Sequence, residues 1–276
     1  MKLYKIKNGI VIEAESRFYF LNENWDSFID DDQLFEKIKN YISSAKPSQE
    51  GIELIEDVEA PIGSQELWAS GVTYMRSREG RQEESKKAGG GDFYARVYEA
   101  ERPELFFKAL ANRIVGHNKN VRIRKDSTWD VPEPELTLVI TSKRKIIGYT
   151  IGNDMSSRSI EGENPLYLPQ AKTYDKCAAL GPCIYVTENP LPQNTNIHLE
   201  VKRNNEKVFE GDVAISQIKR SFGELVSFLY RECSFANGSL LMTGTGIVPT
   251  SDFSLQSGDQ ILITIDHIGT LINTVE

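Results

Sequence analysis

Hydrophobic positions recur with a period of two along most of this chain and with a period near 3.6 in few places. Leu3 to Ile12 holds two short alternating runs around Asn8-Gly9, a strong hairpin signal. Asp30 to Ser43 carries Leu34, Phe35, Ile38, Tyr41 and Ile42 at helical spacing, with acids at its start, and predicts an amphipathic helix. The polar stretch Ser43 to Gly51, with Pro47, ends it. Leu67-Trp68-Ala69 predicts a strand. Leu136 to Thr141 and Ile146 to Gly152 predict two more, joined by the polar turn Ser142-Lys143-Arg144-Lys145. Ile197 to Phe209 alternates and breaks at Asn204-Asn205, a further hairpin. Ser221-Phe222-Gly223-Glu224 is a capping box opening a helix that buries Phe222, Leu225, Val226 and Leu229. Leu240-Leu241-Met242 reads as a buried strand, and Gln260 to Val275 as the last strands. The pattern predicts an α+β protein. It has a small N-terminal α/β domain over residues 1–62 and a strand-dominated domain over 63–276, a mixed β-roll or β-sandwich.

Composition narrows what this fold can serve. At 276 residues and 39% hydrophobic, the chain can bury a sizeable core. A net charge of −8 argues against nucleic acid as the main partner. No apolar run approaches a membrane span, and the start reads as a strand rather than a signal peptide. Three cysteines, Cys177, Cys183 and Cys233, lack metal spacing and point to a reduced, cytoplasmic setting. His117, His198 and His267 have no second ligand at zinc spacing. His117 reads as a solvated loop residue.

Chemistry concentrates between Val131 and Pro182. Glu133 and Glu135 are two apart at the head of a strand, so both project from one face. A hairpin with a four-residue loop sets Thr141 opposite Ile146, Glu133 opposite Asp154 and Glu135 opposite Gly152. The three acids then share a face, with Gly152 leaving open space beside Glu135. Convergent carboxylates need a cation, and hard oxygen ligands favour Mg²⁺, Ca²⁺ or Mn²⁺. The competing reading is a solvated strand end carrying surface acids.

The stretch Glu-Pro-Glu-Leu, then Gly-Tyr-Thr-Ile-Gly-Asn-Asp-Met-Ser-Ser-Arg, then Ala-Lys-Thr-Tyr-Asp with Leu180-Gly181-Pro182, resembles the fumarylacetoacetate hydrolase family. Gly71-Val72-Thr73-Tyr74, Leu105-Phe106-Phe107-Lys108, Thr243-Gly244-Thr245 and Ser257-Gly258-Asp259 extend the likeness over roughly residues 66–276. The resemblance implies that family's fold, a homodimer or homotetramer, and Mg²⁺ held by Glu133, Glu135 and Asp154, with Mn²⁺ or Ca²⁺ as substitutes. It also implies that Arg158 grips a keto-acid carboxylate, a bidentate job suited to guanidinium. The alternative for Arg158 is an ion pair with Glu161 or Glu163. Lys172 matches a lysine that contacts substrate and is the candidate base, the alternative being that it only neutralises the acid cluster. Thr245 and Ser77 are expected to bind substrate, and Lys108 to be a surface lysine.

Two departures from the family pattern redirect the chemistry. Hydrolase members read Gly-x-Asn-Tyr-x-x-His, and that His works with a nearby Glu to activate water. Here Ser77 and Gly80 stand at those places, with Glu79 as the nearest substitute, and a neutral serine is no strong base. Glu161 stands where Gln is common and would accept hydrogen bonds from a hydroxylated substrate, so it joins the catalytic candidates. The resemblance is to the branch that dehydrates 2-keto-3-deoxy sugar acids, a D-arabinonate-type substrate giving 2,5-dioxopentanoate in pentose catabolism. Alternatives are an acylpyruvate hydrolase, a keto-diacid decarboxylase and a non-enzymatic keto-acid binding protein. The polar segment 79–92 is expected to be a surface loop or a lid, with Phe93, Tyr94 and Tyr98 as its apolar flank.

Overall fold

The computed structural model describes residues 1–85 and 91–276, without side chains at 83–85 and 91–93. The chain opens with β1 (Lys2–Ile6), β2 (Gly9–Ala14) and β3 (Arg17–Leu21), then α1 (Trp25–Ile29) and α2 (Leu34–Ser44). The first hairpin forms one residue earlier than Asn-Gly predicts, because Ile6 pairs with Gly9 and the loop is Lys7-Asn8. Strand β4 (Glu66–Gly71) leads into α3 (Met75–Ser85) and α4 (Gly91–Glu99), followed by β5 (Glu104–Leu110). Short strands β6 (Ile114–Val115), β7 (Lys119–Val121) and β8 (Asp130–Val131) precede the hairpin of β9 (Pro134–Ile140) and β10 (Ile146–Asp154). Then come β11 (Ser156–Ser157), α5 (Arg158–Glu163), α6 (Leu168–Lys172) and β12 (Ala178–Tyr185). The last third holds β13 (Asn196–Arg203), β14 (Glu206–Ala214), α7 (Phe222–Leu229), β15 (Ser239–Met242), β16 (Gln260–Ile265) and β17 (Gly269–Val275).

The expected α+β class is what forms. One large sheet runs β3-β2-β1-β12-β10-β9-β15-β4-β5, with β6 beside β12, and a second runs β14-β13-β16-β17-β7. Leu136, Leu138 and Ile151 of the first sheet share a core with Leu199, Val201, Ile261 and Ile263 of the second. On the other face of the large sheet Val139, Ile147 and Leu240 pack with Leu34 and Ile38 of α2. Strand β9 is therefore buried on both faces, which is why its sequence is nearly continuous in apolar residues. Residues 1–21 continue this sheet, since Leu3 of β1 pairs with Ile184 of β12.

Turn chemistry sets the registers. Asn204 and Asn205 both have positive φ, 52° and 66°, so β13 and β14 join through a two-residue turn whose twist matches the strands. Ser221 caps α7 by accepting from the Glu224 backbone, but the Glu224 side chain pairs with Arg220 instead of returning to Ser221. Residues 75–85, whose later part was expected to be a loop, are helical. Arginine, glutamate and glutamine favour helix even where few apolar residues fall on one face. The centre of the expected lid, residues 86–90, lies outside the described residues. Its flanking Tyr94 and Tyr98 pack with Val72. No helix among the described residues is long and apolar enough to cross a membrane.

Leu138 is wholly buried at the centre of this two-sided packing. Leu138→Ala is expected to lower unfolding free energy by about 2–5 kcal/mol. Ile52→Ala, at a site 66% exposed, should change it by less than about 0.5 kcal/mol in the same urea titration.

Candidate active site

The β9–β10 hairpin delivers the acids as the residue count predicts, by a slightly different route. The Thr141 amide donates to the Lys145 carbonyl and Arg144 takes φ 71°, so the loop is one residue tighter than expected. A bulge between Ile146 and Gly148 restores the offset. From there Gly152 pairs with Glu135, and the Asp154 amide donates to the Glu133 carbonyl at 2.9 Å. Gly152 does not leave open space. A Cβ there would meet Thr137 Oγ1 at 2.4 Å and the Met242 methyl at 2.7 Å, so this glycine lets β15 pack close.

Glu133, Glu135 and Asp154 are buried, with one carboxylate oxygen of each within 4.8 Å of the others. The solvated strand end is thereby excluded. Lys172, at the end of α6 and fully buried, places Nζ 2.5 Å from Glu133 Oε2 and 3.1 Å from Asp154 Oδ2. Arg158 opens α5 and its Nη2 reaches Glu133 Oε1 at 3.0 Å, so its described acidic partner is Glu133 rather than Glu161 or Glu163. Gly244, at φ 92°, donates its N–H to Glu135 Oε2 at 2.5 Å. Its conformation and the 2.0 Å from its Cβ position to Thr73 Oγ1 admit only glycine.

The described ion pairs reach Glu133 and Asp154 but not Glu135. Burial, then repulsion from Asp154 and Glu133, pushes the Glu135 carboxyl well above its ordinary range. Burial also works against the Asp154 carboxylate, but Lys108 and Lys172 outweigh it and hold that group below its ordinary range. A divalent cation among these oxygens would relieve Glu135, and carboxylate oxygens suit Mg²⁺, Mn²⁺ or Ca²⁺. The residues present therefore fit such an ion. A second group, His198, Glu200 and Glu210, also lies at ligand spacing, but it is more exposed and paired with Asp212, Lys202 and Lys207.

A small cavity opens over the acids and is lined by Ser77, Arg81, Phe106, Arg158, Lys172, Gly244 and Thr245. Ser77 and Thr245 thus face it, with their hydroxyls engaged locally. Ser77 Oγ donates to the Tyr74 carbonyl at 2.7 Å and accepts from the Tyr74 amide, capping α3. Thr245 Oγ1 bonds Ile247 at 3.2 Å. Glu161 is buried, accepts from Ser156 Oγ at 3.1 Å and pairs with Arg81, so it meets the cavity through that arginine. At Gly80 a Cβ would meet Val248 at 2.9 Å, which leaves little room for an acid.

Three participants escape a linear reading. Lys108 is not a surface lysine. It is fully buried, donates to the Met155 carbonyl at 2.9 Å and to the Lys172 carbonyl, and stands in an ion pair with Asp154 Oδ1 at 2.6 Å. Its setting in Leu105-Phe106-Phe107-Lys108, an apolar strand, is the signal that could have found it. Arg81 sat in a stretch read as polar loop, and Glu104 stands over Gly71 with Oε2 buried and lacking a hydrogen bond. His117 is half-buried rather than solvated. It accepts from the Ile272 amide, and burial lowers its pKa.

The model of the fumarylacetoacetate (FAA) hydrolase C-terminal family matches residues 77–276. The chain belongs to this family. Among its relatives, a probable 2-keto-3-deoxyxylonate dehydratase of Haloferax volcanii is 46% identical over 216 residues, 78% of this chain and 73% of that protein. The 2-dehydro-3-deoxy-D-arabinonate dehydratase of Saccharolobus solfataricus is 45% identical over 219 residues, again 78% and 73%. A hexagonal crystal form of 2-keto-3-deoxyarabinonate dehydratase superposes with TM-score 0.86 at 36% identity, over 100% of this chain and 99% of that one. A 2-keto-3-deoxy-D-arabinonate dehydratase complexed with magnesium and 2,5-dioxopentanoate gives 0.84 at 34% identity, with the same coverage.

Beside the site, the Asp130 carboxyl is buried with Oδ1 unpaired, and burial pushes its pKa from 3.8 up to about 6. The folded chain holds this proton more tightly than the unfolded chain. The stability it contributes below pH 3.8 is lost as pH rises through about 6. Asp130→Asn should melt close to wild type at pH 4 and above it at pH 8. Parallel melting curves would disprove the assignment.

Proposed function

We propose that the protein is a magnesium-dependent hydro-lyase. It removes water from a 2-keto-3-deoxy sugar acid, 2-keto-3-deoxy-D-arabinonate or its close stereochemical relatives, and releases 2,5-dioxopentanoate. The observation that carries this reading is the buried triad Glu133, Glu135 and Asp154 with Lys172 between two of its members. It stands beneath a cavity lined by Ser77, at the place of the hydrolytic His, while Gly80 occupies the place of the Glu. Relatives named as dehydratases support the same reading.

In this proposal Glu133, Glu135 and Asp154 hold the metal. When bound, magnesium supplies Lewis-acid polarisation of the 2-oxo group, which acidifies C3. Arg158 binds the substrate carboxylate, its guanidinium fixed by Glu133 on one side and over Trp129. Lys172, fully buried with Phe106 beside it, takes the C3 proton. The C4 hydroxyl departs as water. The resulting C3=C4 alkene carries the C5 hydroxyl. Moving one hydrogen from C5 to C3 gives an enol that ketonises at C4 to leave the C5 aldehyde. Thr245 and Ser77 line the path of the hydroxylated end, and Glu161 contributes through Arg81, which it holds at the cavity wall. The division at residue 62, a cytoplasmic setting and a homodimer or homotetramer complete the proposal.

The test is turnover of 2-keto-3-deoxy acids and of acylpyruvates, each with Mg²⁺ and with EDTA. Loss of water from the sugar acids alone, abolished by EDTA, is the expected result; cleavage of acylpyruvates instead would sink it. Lys172→Met should cut turnover by about 10²–10⁴-fold, and full retained activity would remove its role as base.

A further inference from the structure

Each carboxylate of the triad has one oxygen already committed to a protein donor. Glu133 Oε1 accepts from Arg158 at 3.0 Å and Glu135 Oε2 from the Gly244 N–H at 2.5 Å, while Asp154 Oδ1 forms a buried ion pair with Lys108 at 2.6 Å. The opposite oxygens of Glu133 and Asp154 converge on the Lys172 ammonium. Glu133 and Asp154 therefore each have one oxygen held by Arg158 or Lys108 and the other on Lys172, and a cation entering among the acids would have to displace the Lys172 contacts rather than the outer ones.

The number of oxygens a carboxylate can give discriminates between hard cations. Ca²⁺ takes six to eight oxygens in flexible geometry and often draws both from one carboxylate. Mg²⁺ demands near-octahedral coordination at shorter distance, to which single-oxygen carboxylates are suited. Asp154 is the decisive member. To offer both oxygens it must release Lys108, whose ammonium is fully buried and fully used, with its other hydrogens on the Met155 and Lys172 carbonyls. Breaking a buried pair leaves an uncompensated charge, a far larger penalty than losing an exposed contact. Loss of the Glu135 clamp leaves only one backbone N–H unsatisfied.

We infer that Lys108, seconded by Arg158 and Gly244, confines the triad to one oxygen per carboxylate and so selects Mg²⁺ or Mn²⁺ against Ca²⁺. Lys108 is a positioning residue: it acts through Asp154. The inference rests on the reading of Glu133, Glu135 and Asp154 as metal ligands, but not on which substrate is dehydrated.

Calorimetric titration of the EDTA-stripped protein with Mg²⁺, Mn²⁺ and Ca²⁺ tests it without any turnover. In Lys108→Met the ratio of Ca²⁺ to Mg²⁺ affinity should rise at least tenfold over wild type, with Mn²⁺ following Mg²⁺. An unchanged ratio in a folded variant overturns the inference. Should Lys108→Met fail to fold by circular dichroism, Ca²⁺-soaked crystals of the wild type decide. One oxygen each from Glu133 and Asp154 supports it, and a two-oxygen Asp154 with Lys108 displaced overturns it. Binding of none of the three cations overturns both this inference and the metal reading. A shifted ratio in a protein that dehydrates no sugar acid upholds the inference and removes only the proposed reaction.

Discussion

The structure is built around the neutralisation of buried charge. Glu133, Glu135, Asp154 and Glu161 lie out of water with Lys108, Arg158, Lys172 and Arg81 among them. Removing an ion from water costs several kcal/mol even after relaxation, so none of these groups is tolerable without its partners. The partners come from separate elements: Lys108 from β5, Arg158 from α5, Lys172 from α6, Arg81 from α3. Completing the fold and assembling the site are thus one event. Such a network adds little net stability over a well-packed apolar one. What it does is make each side chain's position depend on the others.

Holding those positions falls to the β9–β10 hairpin. Buried on both faces, β9 has no freedom to slip, since a one-residue shift would turn its acids away from the cavity. The bulge after Ile146 absorbs the extra residue left by the tight turn. The glycines serve the same end. Gly152 lets Met242 and Thr137 close against the strand, and Gly244 lets a loop backbone reach Glu135.

How much of this was legible depended on how local the signal was. The hairpin and the shared face of Glu133 and Glu135 follow from a period of two, whereas the pairing of Glu135 with Gly152 matches the residue count because a bulge offsets a turn one residue tighter than expected. Asn204-Asn205 and the Ser221 cap are equally local. Lys108 was misread because its partners are 46 to 64 residues distant, and a lysine is ordinarily exposed. Arg81 was missed because a run of charged residues reads as solvated until the fold brings Glu161 to it. The helix over residues 75–85 was missed because periodicity outweighed propensity in the reading, and this stretch has only propensity.

The same geometry explains how a hydrolase scaffold can serve dehydration under the proposed function. Hydrolysis requires a base that draws a proton from water and aims the resulting nucleophile at a carbonyl. At the corresponding wall here, the Ser77 hydroxyl is spent on the helix start and Val248 crowds the position beyond Gly80. Nothing at those two places can activate a water. Under the proposed function a substrate held by Arg158 and the triad would meet Lys172, which lines the same cavity. Elimination needs only that one base and a leaving hydroxyl. Losing the hydrolytic dyad while keeping the acids and the lysine therefore changes which bond breaks, without changing how the keto acid is held.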